Sequence, residues 1–235
     1  MKYKRPEMVI FDAGRTLIDY VDVDTLRGVR TLMEHVTANP RNLTPEQVDR
    51  FTNETFEQFD ACRKNLFEVH EQTVLKLVYD LLELKFDCSL ADIERIIWYR
   101  SSVVEPVPGA AKALEDLKRM GIRSAVISNL DFSGYLLKER LNVLFPGNEF
   151  EFVITSSDYG LRKPMGDIFR AGIAKSGLHP EKIWYVGDKV KVDVDGSRAV
   201  GMVPVLYKCK RNAYGSLPED LITLDDLAGL AEIIE

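Results

Sequence analysis

The chain has 235 residues, a formal net charge of −6, and 46% apolar against 29% charged residues. That is enough apolar mass for a sizeable core in one large domain, or in a domain with an insert. The acidic balance argues against a general nucleic-acid binder, which needs a basic surplus to neutralise phosphates. No apolar run approaches the ~18 residues of a membrane span, and the run before Asp12 is too short for a signal-peptide core. Cys62, Cys88 and Cys209 lie far apart with no Cys-x-x-Cys pair, which suggests reduced, incidental thiols in a cytoplasmic protein.

Met8-Val9-Ile10-Phe11 runs into Asp12 and reads as a buried strand ending in a carboxylate. Residues 13–21 read as a turn and connection carrying Asp19, with Asp22 and Asp24 following. Helical periodicity then takes over to about residue 101. Leu26, Val29, Leu32, Met33 and Val36 mark a first helix, ended by Asn39-Pro40. Thr44-Pro45-Glu46-Gln47 is a helix start, with a cap, a proline and then an acid and an amide. A third helix carries Val74, Leu75, Val78 and Leu82, and Ser89 caps a fourth.

Glu105-Pro106-Val107-Pro108-Gly109 returns the chain to an α/β pattern. A helix over 110–120 stops at Gly121, and a strand over 124–127 ends in Ser128-Asn129. A helix over 135–144 and a strand over 152–154 precede Arg162-Lys163-Pro164. A helix over 167–176 stops at Gly177, and a strand over 183–186 ends in Gly187-Asp188. A short helix over 197–200, a fifth strand over 203–206 and a closing helix over 224–234 complete the pattern. Such alternation implies a parallel sheet with right-handed crossovers. Parallel strands place their C-terminal tips on one rim, so Asp12, Ser128, Lys163 and Asp188 can converge.

The order of these four groups, with a helical insert after the first strand, resembles the haloacid dehalogenase-like (HAD) hydrolase superfamily. Asp12-Ala13-Gly14-Arg15-Thr16 is similar to its first motif. The segment from Gly187-Asp188 to Asp193 is similar to its fourth, where two acids sit five apart. The resemblance implies a Rossmann-like α/β core with a parallel sheet, residues 1–17 and 102–235. It also implies an all-helical cap of the C1 type at 18–101. It further implies that Asp12 attacks phosphorus to form an aspartyl phosphate. Mg²⁺ would be held by Asp12, the backbone carbonyl of Gly14, Asp188 and Asp193. Ser128 and the neighbouring backbone N–H groups, at Asn129, would hold the phosphoryl oxygens, and Lys163 would offset charge on Asp12 and the phosphate. Thr16 is expected to pack and hydrogen-bond near the turn, and Asp195 to be a solvated or capping acid. The implied function is Mg²⁺-dependent hydrolysis of a small phosphorylated metabolite, with no nucleic acid or membrane as partner.

The chain departs from that family at Gly14, where most phosphatases carry a second aspartate as general acid and base. Such help is worth ~10²–10⁴-fold. Three readings follow. A phosphatase could act on esters that need little protonation, or borrow an acid from Asp19, Asp22, Asp24 or the insert. A phosphonatase-like enzyme would need a Schiff-base lysine of depressed pKa, with Lys64, Lys76 and Lys85 as candidates; a dehalogenase also tolerates the missing acid, but uses no metal. A non-catalytic phosphate-binding or regulatory module is the third reading. His35, His70 and His179 have no partner at ligand spacing.

Overall fold

The computed structural model describes residues 2–235. Met8–Phe11 forms β1, with all four side chains at 0% exposure. After β2 (Ile18–Val23), α1 (Thr25–Met33) starts on Asp24, whose side chain accepts from the Arg27 N–H. β3 (Val36–Ala38) follows. α2 (Pro45–Gln58) opens in a capping box between Thr44 and Gln47. α3 (Asp60–Lys64), α4 (Glu71–Leu81) and β4 (Lys85–Phe86) lead to α5 (Leu90–Ser101), which opens in a second capping box between Ser89 and Asp92. Val29, Leu32, Val48, Val74, Leu75, Val78 and Ile93 of these elements make a core of their own.

The expectation of an all-helical segment needs amendment. Strands β3 and β4 pair as a small antiparallel ribbon within it. β5 (Ser102–Pro106) also returns to pair antiparallel with β2, so the two ends of the segment are stitched together at its stem.

The second half alternates. α6 (Ala110–Arg119), β6 (Arg123–Ser128), α7 (Gly134–Leu144) and β7 (Val153–Thr155) are followed by α8 (Ser156–Tyr159) and α9 (Gly166–Ser176). β8 (Ile183–Gly187), α10 (Asp195–Arg198), β9 (Val203–Tyr207) and β10 (Ile222–Leu224) close the series. The main sheet has six strands in the order β10-β9-β8-β1-β6-β7, and every pairing is parallel. Its two faces carry separate apolar clusters. Val9, Phe11, Val126 and Val186 point to one, and Met8, Ile10, Ile127 and Tyr185 to the other. Burial on both faces is why these strands read as unbroken apolar runs.

Two expectations near the C-terminus change. The sixth strand, β10, was not expected, and its last residue, Leu224, falls where the closing helix was expected to start. Beyond it the chain makes only 3₁₀ turns over Leu227–Ile233. Gly229 lies mid-segment, where glycine disfavours a regular helix, and Asp226 caps the turns through the Ala228 N–H. The short helix also begins earlier, preceded by one wide π-type turn over Val190–Val194.

β1 lies between β6 and β8, where the strand order reverses direction. The crevice beyond such a switch point is where open α/β sheets bind ligands. The helical segment meets this rim through Phe67, which pairs with Leu161, and through Glu68. The Glu68 carboxylate, fully buried, accepts from Arg63, Arg162 and Ser156.

Candidate active site

Asp12 sits one residue past the end of β1, and its N–H donates to the Val186 carbonyl at 2.9 Å. The side chain is buried, and Oδ1 accepts from Ser128 Oγ at 3.1 Å and Lys163 Nζ at 2.7 Å. Ser128 is the last residue of β6, so neighbouring strand tips deliver the pair. Lys163 arrives from the loop between α8 and α9. Its ammonium donates to Asp12 Oδ1, to Asp193 Oδ1 at 2.7 Å and to Tyr185 Oη at 2.8 Å, which uses all three protons. Burial alone would push the ammonium down, but the carboxylates of Asp12 and Asp193 outweigh it and hold the group well above its ordinary range.

Asn129 was expected to meet the phosphoryl group. Its side chain clamps the Lys163 backbone, donating to the carbonyl at 3.0 Å and accepting from the N–H at 2.8 Å, so a phosphoryl contact would fall to its backbone N–H. Thr16 is fully buried and packs, but its Oγ1 has no hydrogen-bond partner.

Asp188 follows β8 and is 0% exposed. Its Oδ2 accepts from Asn212 Nδ2 at 2.7 Å, while Oδ1 is buried without any partner. Burial pushes its carboxyl up, and the charge of Asp12 adds to that. Asp193 rides on the wide turn and points back at the strand tips. Its Oδ2 accepts from the Lys189 N–H at 3.0 Å. Burial raises its carboxyl too, against the pull of Lys163. The turn closes so tightly that a Cβ on Gly187 would lie 2.4 Å from Asp193 Cγ. Asp195 is exposed, as expected.

Asp12, Asp188 and Asp193 each present an oxygen, and the three lie within 4.8 Å of one another. Hard cations take oxygen ligands at ~2.0–2.6 Å, so oxygens ~4–5 Å apart can face each other across one. The unpartnered Asp188 Oδ1 is the kind of atom such an ion satisfies, so this donor set fits a divalent cation.

Sequence reasoning missed Tyr185 and Asn212. Tyr185 lies inside an apolar strand run and donates its own proton to the Ile127 carbonyl at 2.8 Å. Its one signal is a polar tip in a strand buried on both faces. Asn212 comes from a loop with no periodic signal. The histidines are placed as follows. His70 caps α4, and His35 Nδ1 lies 3.1 Å from Asp87, with Cys88 beside it on the β3–β4 ribbon.

The sequence model of the haloacid dehalogenase-like hydrolases matches residues 6–201, most of the chain. The chain belongs to that family. Two glyceraldehyde 3-phosphate phosphatases are each 26% identical to this hydrolase. The one from Methanocaldococcus jannaschii aligns over 86% of this chain and 90% of its own length. The one from Pyrococcus furiosus aligns over 99% and 94%. A 2-haloacid dehalogenase structure from Pseudomonas syringae matches the fold with a TM-score of 0.64 at 17% identity, covering 97% of each chain. A HAD phosphatase structure from Thermococcus onnurineus matches at 0.56 and 20% identity, covering 99% of this chain and 97% of that one.

Gly14 of this hydrolase lies two residues past Asp12. A Cβ added there would meet nothing within 4 Å, and its backbone is outside the left-handed region. The three acids that follow it in sequence are already engaged. Asp19 pairs with Arg211 at 3.0 Å, Asp22 with Arg27 at 2.7 Å, and Asp24 caps α1.

Proposed function

We propose that this hydrolase cleaves the phosphate monoester of a small metabolite in the cytoplasm, with Asp12 as nucleophile and Mg²⁺ as cofactor. The observation that carries the reading is the cluster of Asp12, Asp188 and Asp193, with Asp188 Oδ1 unpartnered among the described residues and the Lys163 ammonium paired to the other two. Phosphoryl transfer asks a site to position groups and manage spread negative charge, and this cluster suits both. Its three cysteines are free, the state a reducing compartment maintains.

Asp12 Oδ1 is held by Ser128 and Lys163, which leaves Oδ2 to attack phosphorus as the ester P–O bond breaks. Water then attacks the aspartyl phosphate, freeing inorganic phosphate and the Asp12 carboxylate. Lys163 offsets charge on Asp12 throughout, and Ser128, whose one proton goes to Asp12 Oδ1, would turn it toward a phosphoryl oxygen when the ester binds. Asp12, Asp188, Asp193 and the Gly14 carbonyl would hold Mg²⁺. When bound, that ion relieves repulsion between nucleophile and phosphate.

The phosphonatase reading loses ground. Lys64, Lys76 and Lys85 are all exposed, and Lys76 is paired with Asp80. A Schiff-base lysine needs desolvation to shed its proton.

The test is turnover of 4-nitrophenyl phosphate and of sugar and triose phosphates, glyceraldehyde 3-phosphate among them, with Mg²⁺. Wild type turns over at least one, and Asp12→Asn abolishes it. No turnover across the panel overturns the reading.

A further inference from the structure

A cavity of about 410 Å³ opens between the helical segment and the loop that leaves β6, starting one residue past Asn129. Leu130, Asp131 and Phe132 line one side, and Tyr20 of the stem ribbon lines it as well. Phe56, Leu75, Ile97 and Trp98 supply an apolar frame, with Phe132 stacked on Trp98 at 4.9 Å between ring centroids. The volume is in the ~300–1,000 Å³ range of small-molecule sites.

Its polar groups are unequal. Asp49 and Asp131 face it with carboxylates and Glu71 with a carboxyl that burial favours in its neutral form, against the guanidinium of Arg63. That guanidinium is already spent. Nη2 is 2.8 Å from Asp131, Nε is 3.2 Å from Glu68, and Phe56 lies beneath it at 5.8 Å. Glu71 is 5% exposed and lines the cavity. Asp49 Oδ1 is buried without a hydrogen-bond partner among the described residues.

We infer that this cavity receives the organic part of the phosphate ester and selects an uncharged one. The favoured group carries hydroxyls or a carbonyl on an apolar frame, and a second anionic group is rejected. The inference rests on the phosphatase reading of the Asp12 site. Two physical points support it. An entering anion would lose its hydration in an apolar enclosure whose one lining cation among the described residues, Arg63, is already paired. Burial, with the nearby charges of Asp131 and Glu94, pushes the Glu71 carboxyl well above the usual range, and a ligand carboxylate would meet the same field. Hydroxyl groups would instead hydrogen-bond the open oxygen of Asp49 and the Glu71 carboxyl.

Two esters of matched shape and similar leaving-group acidity test this: 4-(hydroxymethyl)phenyl phosphate and 4-carboxyphenyl phosphate. Wild type is expected to favour the first in kcat/KM by about tenfold or more. A smaller ratio, or an inverted one, overturns the inference. Asp131→Asn frees the Arg63 guanidinium and should lower the ratio by about fivefold or more, and Asp49→Asn, at a partly exposed position, should lower it in the same direction by removing a negative charge. An unchanged ratio in both variants removes the discrimination from this cavity. Failure of 4-nitrophenyl phosphate as a substrate is the separate sign that the phosphatase reading itself has failed.

Discussion

The Lys163 ammonium lies 2.7 Å from Asp12 Oδ1, in an ion pair whose side chains are 1% and 6% exposed. The same nitrogen is 2.7 Å from Asp193, so one cation holds two carboxylates that would otherwise repel. Removing one partner of a buried pair strands the other, at a cost of ~3–5 kcal/mol. Lys163→Met is therefore expected to lose stability of that order in urea unfolding. Activity should fall by at least ~10²-fold, the scale for losing one preorganised charge-stabilising donor.

Gly14→Asp tests whether the missing carboxylate limits the rate. The space is open and the backbone is ordinary, so the variant should fold with a stability change within about 0.5 kcal/mol. Hydrolysis of alkyl phosphates, whose leaving oxygen needs a proton, should rise by up to ~10²-fold. Aryl phosphates should gain much less. Equal gains on both classes would mean that the substitution acts through something other than proton donation.

Asp188→Asn separates the cost of a buried carboxylate from its use. Without a cation, Asp188 Oδ1 is buried and unpartnered, so the neutral variant should melt no lower than wild type. With Mg²⁺ near a hundred times its Kd, wild type should gain about 5–10 °C in thermal midpoint. The variant should lose that gain. Thermal melts with and without the ion check both arms.

Glu71 gives a pH signature. Its carboxyl is pushed well above 4.5 in the folded chain by burial first, so the native state holds a proton that the unfolded state releases. Between those two values the native state binds more protons, and stability falls as pH rises. Glu71→Gln is neutral at every pH. It should flatten this decline and be more stable than wild type at pH values above the folded-state titration. Thermal midpoints from mildly acidic to alkaline pH measure the difference.

The parts of the site that follow strand tips were legible in the sequence. Asp12, Ser128 and Asp188 each end an apolar run, and parallel topology brings such ends together without further information. Helix starts were legible for a local reason, since Thr44 with Gln47 and Ser89 with Asp92 satisfy their own backbone groups. What was not legible depends on partners far away in sequence. β10 has three residues and exists because β9 offers it an edge. β2 is a strand because β5 returns to it, 79 residues after Val23 at Ser102. Tyr185 becomes a partner of Lys163 only once the loop after α8 crosses the sheet, and Asn212 reaches Asp188 from a segment with no pattern of its own.

The carboxylates of Asp12, Asp188 and Asp193, set against the single ammonium of Lys163, leave two formal negative charges at the strand tips. A doubly charged ion brings that sum to neutrality; sodium or potassium would fall one charge short, and a lanthanide would overshoot by one. On the proposed reading, the valence the pocket would accept is set by the number of acids that Lys163 leaves uncompensated.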